Sequence, residues 1–221
     1  LSGLANITSI GVDLLIDANT MLTNIDGLQN ITSIGGNLSI LNNPALTNID
    51  GLQDLSTLGG NRLFLLNNPL LTNIDGLQNL STTSEFLRIT IFNNDALTNI
   101  DGFQNIQSIS FLEVRFNAAL TNIDGLQNIQ NQNPSFLAFF VIEYNNVLGE
   151  FCGAFGLVST GSFSTVYGNA ENPTLEDIGS GAACSRILPT PEDLPALPWP
   201  YLVLLGLILL GVTRIGIRYL D

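Results

Sequence analysis

The phrase LTNIDGLQN occupies residues 22–30, returns unchanged at 71–79 and 120–128, and returns nearly so at 46–54 and 97–105. Aligned on the first Leu, the copies begin at Leu22, Leu46, Leu71, Leu97 and Leu120, with a degenerate sixth at Leu148. The spacings are 24, 25, 26, 23 and 28 residues. A conserved phrase at drifting spacing means that insertions fall in loops while the corners stay in register. A period of this size is that of a solenoid, in which each repeat is one coil that cannot bury its apolar face without a neighbour.

A short run with strand periodicity precedes each phrase: DLLID (13–17), LSILN (38–42), LFLLN (63–67), ITIFN (89–93), LEVRF (112–116) and FVIEY (140–144). Successive strand residues face opposite ways. Leu14, Leu38, Leu63, Ile89, Leu112 and Phe140 therefore form one inward column, and Ile16, Ile40, Leu65, Ile91, Val114 and Ile142 the next. Three residues beyond the second column stands an Asn in every coil: Asn19, Asn43, Asn68, Asn94, Asn117 and Asn145. An amide both donates and accepts, so stacked copies at a buried corner can satisfy one another and the nearby backbone. About six coils at roughly 4.8 Å per rung give a stack on the order of 29 Å long.

The stretch ITSIGGNLSILNNPALTNIDGL (31–52) and its copies resemble the leucine-rich, right-handed, single-stranded solenoid of receptor L domains, the modules of insulin- and growth-factor-receptor ectodomains. The likeness covers residues 1 to about 184 and implies a mainly β chain. The near-identity of the copies departs from those receptors and is similar to repeat-expanded bacterial surface proteins that share the module. A shared fold does not transfer a ligand.

The phrase also carries a column of acids, Asp26, Asp50, Asp75, Asp101 and Asp124, each followed by Gly. Like charges one rung apart repel by roughly 1 kcal/mol in water, so something must offset them. One reading is that each Asp side chain accepts from the backbone N–H groups of the following turn, with Gly taking a conformation closed to other residues. The other is a calcium column of stacked carboxylates, against which each coil offers a single acid and the β-roll calcium motif is missing. A Thr column, Thr23, Thr47, Thr72, Thr98 and Thr121, precedes the acids. It reads as solvent-facing strand residues, or as a sparse version of the Thr arrays on ice-binding solenoids.

If the repeated positions are scaffold, a binding surface belongs where the copies diverge. The outward strand positions do diverge: one column reads Leu15, Ser39, Phe64, Thr90, Glu113, Val141, and its neighbour Asp17, Leu41, Leu66, Phe92, Arg115, Glu143. Leu41, Phe64, Leu66 and Phe92 then lie side by side, with Glu113 and Arg115 on the charged flank. An apolar patch with a polar rim marks a protein or glycan contact face; the alternative is ordinary apolar variation on a β face, or cover by a loop.

Composition narrows the function classes. The net charge is −13, and there is no His and no Lys, so all six cations are Arg. Nucleic-acid binding needs a basic footprint that this chain lacks, and the usual bases and amine nucleophiles of catalysis are missing. The acids form a one-per-coil column rather than the paired carboxylates of a polysaccharide-cleaving groove. No enzyme, cofactor or resident metal is expected.

Residues 1–147 are read as the solenoid, entered in mid-repeat at a processed or truncated N-terminus, and 148–186 as its cap. Cys152 stands where the other coils have Asp, and a Cys152–Cys184 bridge would close a loop worth about 3.7 kcal/mol in the loop-entropy model. Residues 187–200 hold five of the nine prolines and read as an extended spacer. The apolar run 201–217, counted from Trp199, is long enough for a membrane helix of roughly 28 Å. Trp199 and Tyr201 suit the outer interface, and Arg214 and Arg218 the cytoplasmic side, with 218–221 a short tail. A buried helix is the alternative, and the same segment resembles the cleaved C-terminal sorting signals of Gram-negative surface proteins. Four N-x-S/T sequons, at Asn6, Asn30, Asn37 and Asn79, mean glycans only in a eukaryotic source. Together these readings predict a cell-surface, membrane-anchored module that binds a protein or carbohydrate, or else a structural spacer without a specific ligand.

Overall fold

The computed structural model describes residues 2–129, 139–149 and 163–169. Strands β1 (Ser9–Ile10), β2 (Leu14–Asp17), β3 (Ser33–Ile34), β4 (Leu38–Leu41), β5 (Thr57–Leu58), β6 (Arg62–Leu66), β7 (Thr82–Thr83), β8 (Arg88–Phe92), β9 (Phe111–Arg115), β10 (Phe139–Glu143) and β11 (Phe163–Tyr167) form two parallel sheets. The larger has the order β11-β10-β9-β8-β6-β4-β2 and the smaller β1-β3-β5-β7. Each strand pairs with its counterpart one repeat away, as in Leu38↔Leu63 and Leu63↔Ile89. Parallel pairing at a one-repeat offset is compatible with a β-solenoid, the class to which the spacing of the phrase points.

Both inward columns are core. Leu38, Leu63, Ile89 and Leu112 are fully buried and Phe140 nearly so, as are Ile40, Leu65, Ile91, Val114 and Ile142. The phrase contributes the opposite wall: Leu46, Leu71, Leu97 and Leu120 with Ile25, Ile49, Ile74, Ile100 and Ile123 are all buried. Only the first coil is looser, with Leu14 and Leu22 half-buried.

The Asn column is a continuous buried ladder. Asn43 receives the Asn19 backbone N–H on Oδ1 at 3.0 Å, and gives its own backbone N–H to Asn68 Oδ1 at 3.1 Å. Its Nδ2 donates to the carbonyls of Ile16 at 3.0 Å and Leu41 at 2.8 Å. The same pattern repeats through Asn68, Asn94, Asn117 and Asn145. Among the described residues it reaches Asn169, a rung the sequence reading assigned to the cap.

Three features differ from expectation. First, β11 adds a seventh rung to the main sheet within residues read as cap; VYGN (166–169) repeats the strand–corner–Asn order without the phrase that announced the other coils. Second, the early coils carry two strands rather than one. Between phrase and main strand the backbone stays extended, and its N–H groups reach the previous coil: Thr32 to Thr8 O at 2.9 Å, Ser56 to Thr32 O at 2.9 Å, Gly35 to Ile10 O at 2.7 Å. This smaller sheet stops at β7, where the spacing between phrases drops from 26 to 23 residues. The Ser110 N–H turns instead to Leu87 O, and Ser110 Oγ to Phe86 O. Third, the main strands β4, β6, β8, β9 and β10 end one residue early, because Asn42, Asn67, Asn93, Phe116 and Tyr144 have φ between 54° and 57°, as does Ala18 after β2. That left-handed residue turns the chain from the sheet face into the Asn corner.

The glycine of the phrase is required for a reason other than the expected one. Gly168 is the one Gly with positive φ among the described residues, so the Asp-Gly pairs need no special dihedral. A Cβ on Gly51, Gly76, Gly102 or Gly125 would instead overlap the carbonyl oxygen of Ile25, Ile49, Ile74 or Ile100 on the previous coil. Close stacking of turns, not backbone freedom, excludes a side chain.

The Cys152–Cys184 bridge, the rest of the cap, the Pro-rich spacer and the membrane segment at 199–217 lie outside the described residues. Among the described residues no helix is long and apolar enough to cross a membrane.

Candidate contact face

The variable columns are adjacent on the outer face of the main sheet. Ser39, Phe64, Thr90, Glu113 and Val141 pair in one register, and Asp17, Leu41, Leu66, Phe92, Arg115 and Glu143 in the next. Leu41, Phe64, Leu66 and Phe92 are thus contiguous, each half-buried by its in-register neighbours. They form a low apolar surface rather than four protruding side chains.

Glu113 and Arg115 were expected to offer charges to a ligand, and the structure uses them internally. Arg115 Nη1 lies 3.1 Å from Glu113 Oε1, and Nε lies 3.0 Å from Glu143 Oε2 without the alignment of a hydrogen bond. Glu143 is 4% exposed. A buried carboxylate needs a charge partner, and Arg115 supplies it, so this group is a cross-strand clamp at the end of the patch.

A column not singled out from the sequence borders the patch. The left-handed residues after each strand stack as a second ladder: Asn42 Nδ2 donates to Asp17 Oδ1 at 2.9 Å, Asn67 to Asn42 Oδ1 at 2.8 Å, and Asn93 to Asn67 Oδ1 at 3.1 Å. The next two rungs replace amides by rings. Phe116 meets Phe92 edge-on, with centroids 5.2 Å apart, and stacks on Tyr144 at 4.8 Å with planes 7° apart. Tyr144 in turn packs over Gly168, where a Cβ would come within 2.8 Å of its ring. Phe116 and Tyr144 cover one face of each other, yet remain 39% and 38% exposed. Asn is the residue that tolerates positive φ best after Gly, which was a readable signal at 42, 67 and 93. Phe and Tyr gave none.

Arg62 and Arg88 were likewise missed. They sit opposite each other in register on β6 and β8, both exposed, on the same face as Phe64, Leu66, Thr90 and Phe92. The Arg88 guanidinium lies over the Phe111 ring, 4.6 Å from its centroid. Among the described residues only Arg115 forms an ion pair.

The acidic column behaves differently from the capping reading. Asp26, Asp50, Asp75, Asp101 and Asp124 each open a three-residue 3-10 turn, none of which has a side-chain cap. The Asn two residues earlier does that work: Asn48 Oδ1 accepts the Asp50 N–H at 3.2 Å, and Asn24, Asn73, Asn99 and Asn122 do the same. The Asp contributes its main-chain carbonyl, which accepts from the following Gln N–H, while its carboxylate is exposed. Partial desolvation, with the carboxylates of the rungs on either side, raises the pKa of Asp50 and of Asp101 above the ordinary value. Among the described residues no three acidic groups converge as a metal-binding set.

The Thr column is also bonded along the stack. Thr47, Thr72, Thr98 and Thr121 each donate Oγ1–H to the carbonyl of the preceding Thr at 3.0 to 3.2 Å. The closing Asn of the phrase adds another tie, from Asn79 Nδ2 to Gln53 O at 2.7 Å and from Asn128 Nδ2 to Gln104 O at 2.7 Å. Most positions the copies share are therefore committed to core, to turns or to inter-coil bonds, and the outward strand columns are where the coils differ. Searches against family models, curated proteins and solved structures find no match to this chain.

Proposed function

We propose that this chain is a cell-surface contact module: a right-handed, receptor L-domain-like leucine-rich solenoid that recognises a protein or glycan through the outer face of its main sheet. The observation that carries this reading is the division of labour between columns. Asn, Thr, Gly and the phrase Leu and Ile are spent on inter-coil bonds, close stacking or core, whereas Leu41, Phe64, Leu66 and Phe92 form a contiguous apolar surface on the outer face, of which Phe92 also meets the Phe116 ring. Contiguous apolar surface on an outer face is the usual mark of a partner site. The apolar run within 199–217 is read as the anchor, with the Pro-rich spacer 187–200 holding the module away from the bilayer. The module is read as non-enzymatic, because its acids stand one per coil.

The test is a screen of the full chain, in detergent, against arrays of glycans and purified surface proteins, beside the variant Phe64→Ser/Leu66→Ser/Phe92→Ser. Binding that the wild type shows and the folded variant loses supports the contact face. Equal signals support the second reading, a structural spacer without a specific ligand, which the uninterrupted ladders favour.

A further inference from the structure

We infer that the partner of this face is a protein segment that carries carboxylates next to apolar side chains, read by Arg62 and Arg88 together with Phe64, Leu66 and Phe92; this rests on the contact-face reading above. The net charge of the chain is −13, yet the two arginines of the described residues that form no ion pair stand on adjacent strands, in register, at the margin of the apolar patch. Like charges directly opposite each other across strands destabilise a sheet; within the fold, Arg62 is offset only by the more distant carboxylate of Asp13 and Arg88 by the Phe111 ring, and neither has a carboxylate in contact. A carboxylate approaching from outside would bridge both guanidiniums and convert repulsion into two charge-assisted contacts. Arg88 is held in place over the Phe111 ring, 4.6 Å away, which orders its fork without occupying its N–H groups.

The apolar half of the recognition follows from the same strands. Arg62, Phe64 and Leu66 alternate outward along β6, and Arg88, Thr90 and Phe92 along β8. An occupant must therefore offer negative charge at one end of the strands and apolar surface about two residues further along, roughly 7 Å away. A polypeptide with an acidic residue beside Leu, Phe or Met side chains meets that demand. A sugar polymer meets it less well. Carbohydrates stack on aromatic faces, and here one face of Phe116 and one of Tyr144 are taken up by their mutual stack at 4.8 Å.

The experiment is selection of a random peptide display library on the full chain in detergent, with Arg62→Glu/Arg88→Glu and Phe64→Ser/Leu66→Ser/Phe92→Ser selected in parallel, each first shown to unfold cooperatively. The expected result is enrichment of peptides that pair Asp or Glu with large apolar residues. Synthetic copies of those peptides should bind the charge-reversed protein about tenfold more weakly, as suits two exposed charge pairs, and that protein should select Lys or Arg at the same peptide position. Peptides that lose binding to the Ser variant but bind the charge-reversed protein equally well would overturn the acidic partner and leave the contact face standing. Peptides indifferent to both variants, or none enriched, would overturn both. Binding of neutral or uronate oligosaccharides lost in the Ser variant, with no acidic peptide enriched, would overturn the protein partner in favour of a glycan.

Discussion

Asn94 shows how much one repeated side chain carries. It is fully buried; its Oδ1 accepts the Asn68 backbone N–H at 3.1 Å, and its Nδ2 donates to Leu65 O at 2.9 Å. Asn94→Ala leaves the Asn68 N–H buried without its partner and removes the Nδ2 bond to Leu65 O, a loss of about 2–3 kcal/mol, measurable as a lower urea midpoint with an unchanged slope. Asp54 makes the opposite case. Asn79, Asn105 and Asn128 donate from this position to the previous coil, at 2.7, 2.6 and 2.7 Å, but the second phrase ends in Asp, which has no proton to give. Asp54→Asn supplies the missing donor and should gain about 0.5–1.5 kcal/mol, seen as a higher melting temperature. The buried Asn ladder was legible because one letter recurs at one spacing. The left-handed column was not, since Ala18, Asn42, Asn67, Asn93, Phe116 and Tyr144 share a dihedral angle rather than a chemistry. Holding Phe or Tyr at positive φ costs on the order of 1–2 kcal/mol, which the ring contacts from Phe92 to Tyr144 offset.

The Asp-Gly turn is the element that sets the stacking distance. Gly76→Ala would drive a methyl group into the Ile49 carbonyl oxygen, and either the turn or the rung below must move. A cost of about 1–3 kcal/mol is expected, with calorimetry as the check; a neutral substitution would mean that the coils are less tightly stacked. The acids of the same turns work against the fold at neutral pH. A carboxyl whose folded pKa is raised binds its proton more tightly folded than unfolded, so its penalty is full above the folded pKa. The penalty is relieved as pH falls towards the unfolded value near 3.8. Asp50→Asn and Asp101→Asn should therefore melt higher than the parent at pH ~7, with the gain fading near pH ~3 and in high salt. A gain that persists at low pH would assign the effect to something other than charge. The turn itself was readable from the phrase, but the division of labour within it was not. Asn and Asp both suit such a turn on propensity, and only the hydrogen bonds assign the side-chain role to Asn48 and the main-chain role to Asp50. The smaller sheet was hidden for a related reason. Ser33–Ile34 and Thr57–Leu58 are too short to show alternation, and their pairing arises from stacking.

For the assembled stack, the period of the phrase predicts parallel strands one repeat apart, and the buried columns from Leu38 and Ile40 onward lie where strand alternation places them. The seventh rung was missed because β11 lacks the phrase, and the Glu113–Arg115–Glu143 clamp was not legible because it depends on register. What unites these outcomes is that repetition reveals scaffold, while variable positions reveal their role only once neighbours are known. The central claim is that the repeated positions build the stack and the variable outward columns meet a partner. Its most direct test is the binding of the full chain to a ligand recovered in the screens above, compared with Phe64→Ser/Leu66→Ser/Phe92→Ser, with unfolding recorded on the same samples. The account predicts that binding is lost while the variant still unfolds in one cooperative transition. Unchanged binding, or a variant that no longer folds because the patch is core, would contradict it.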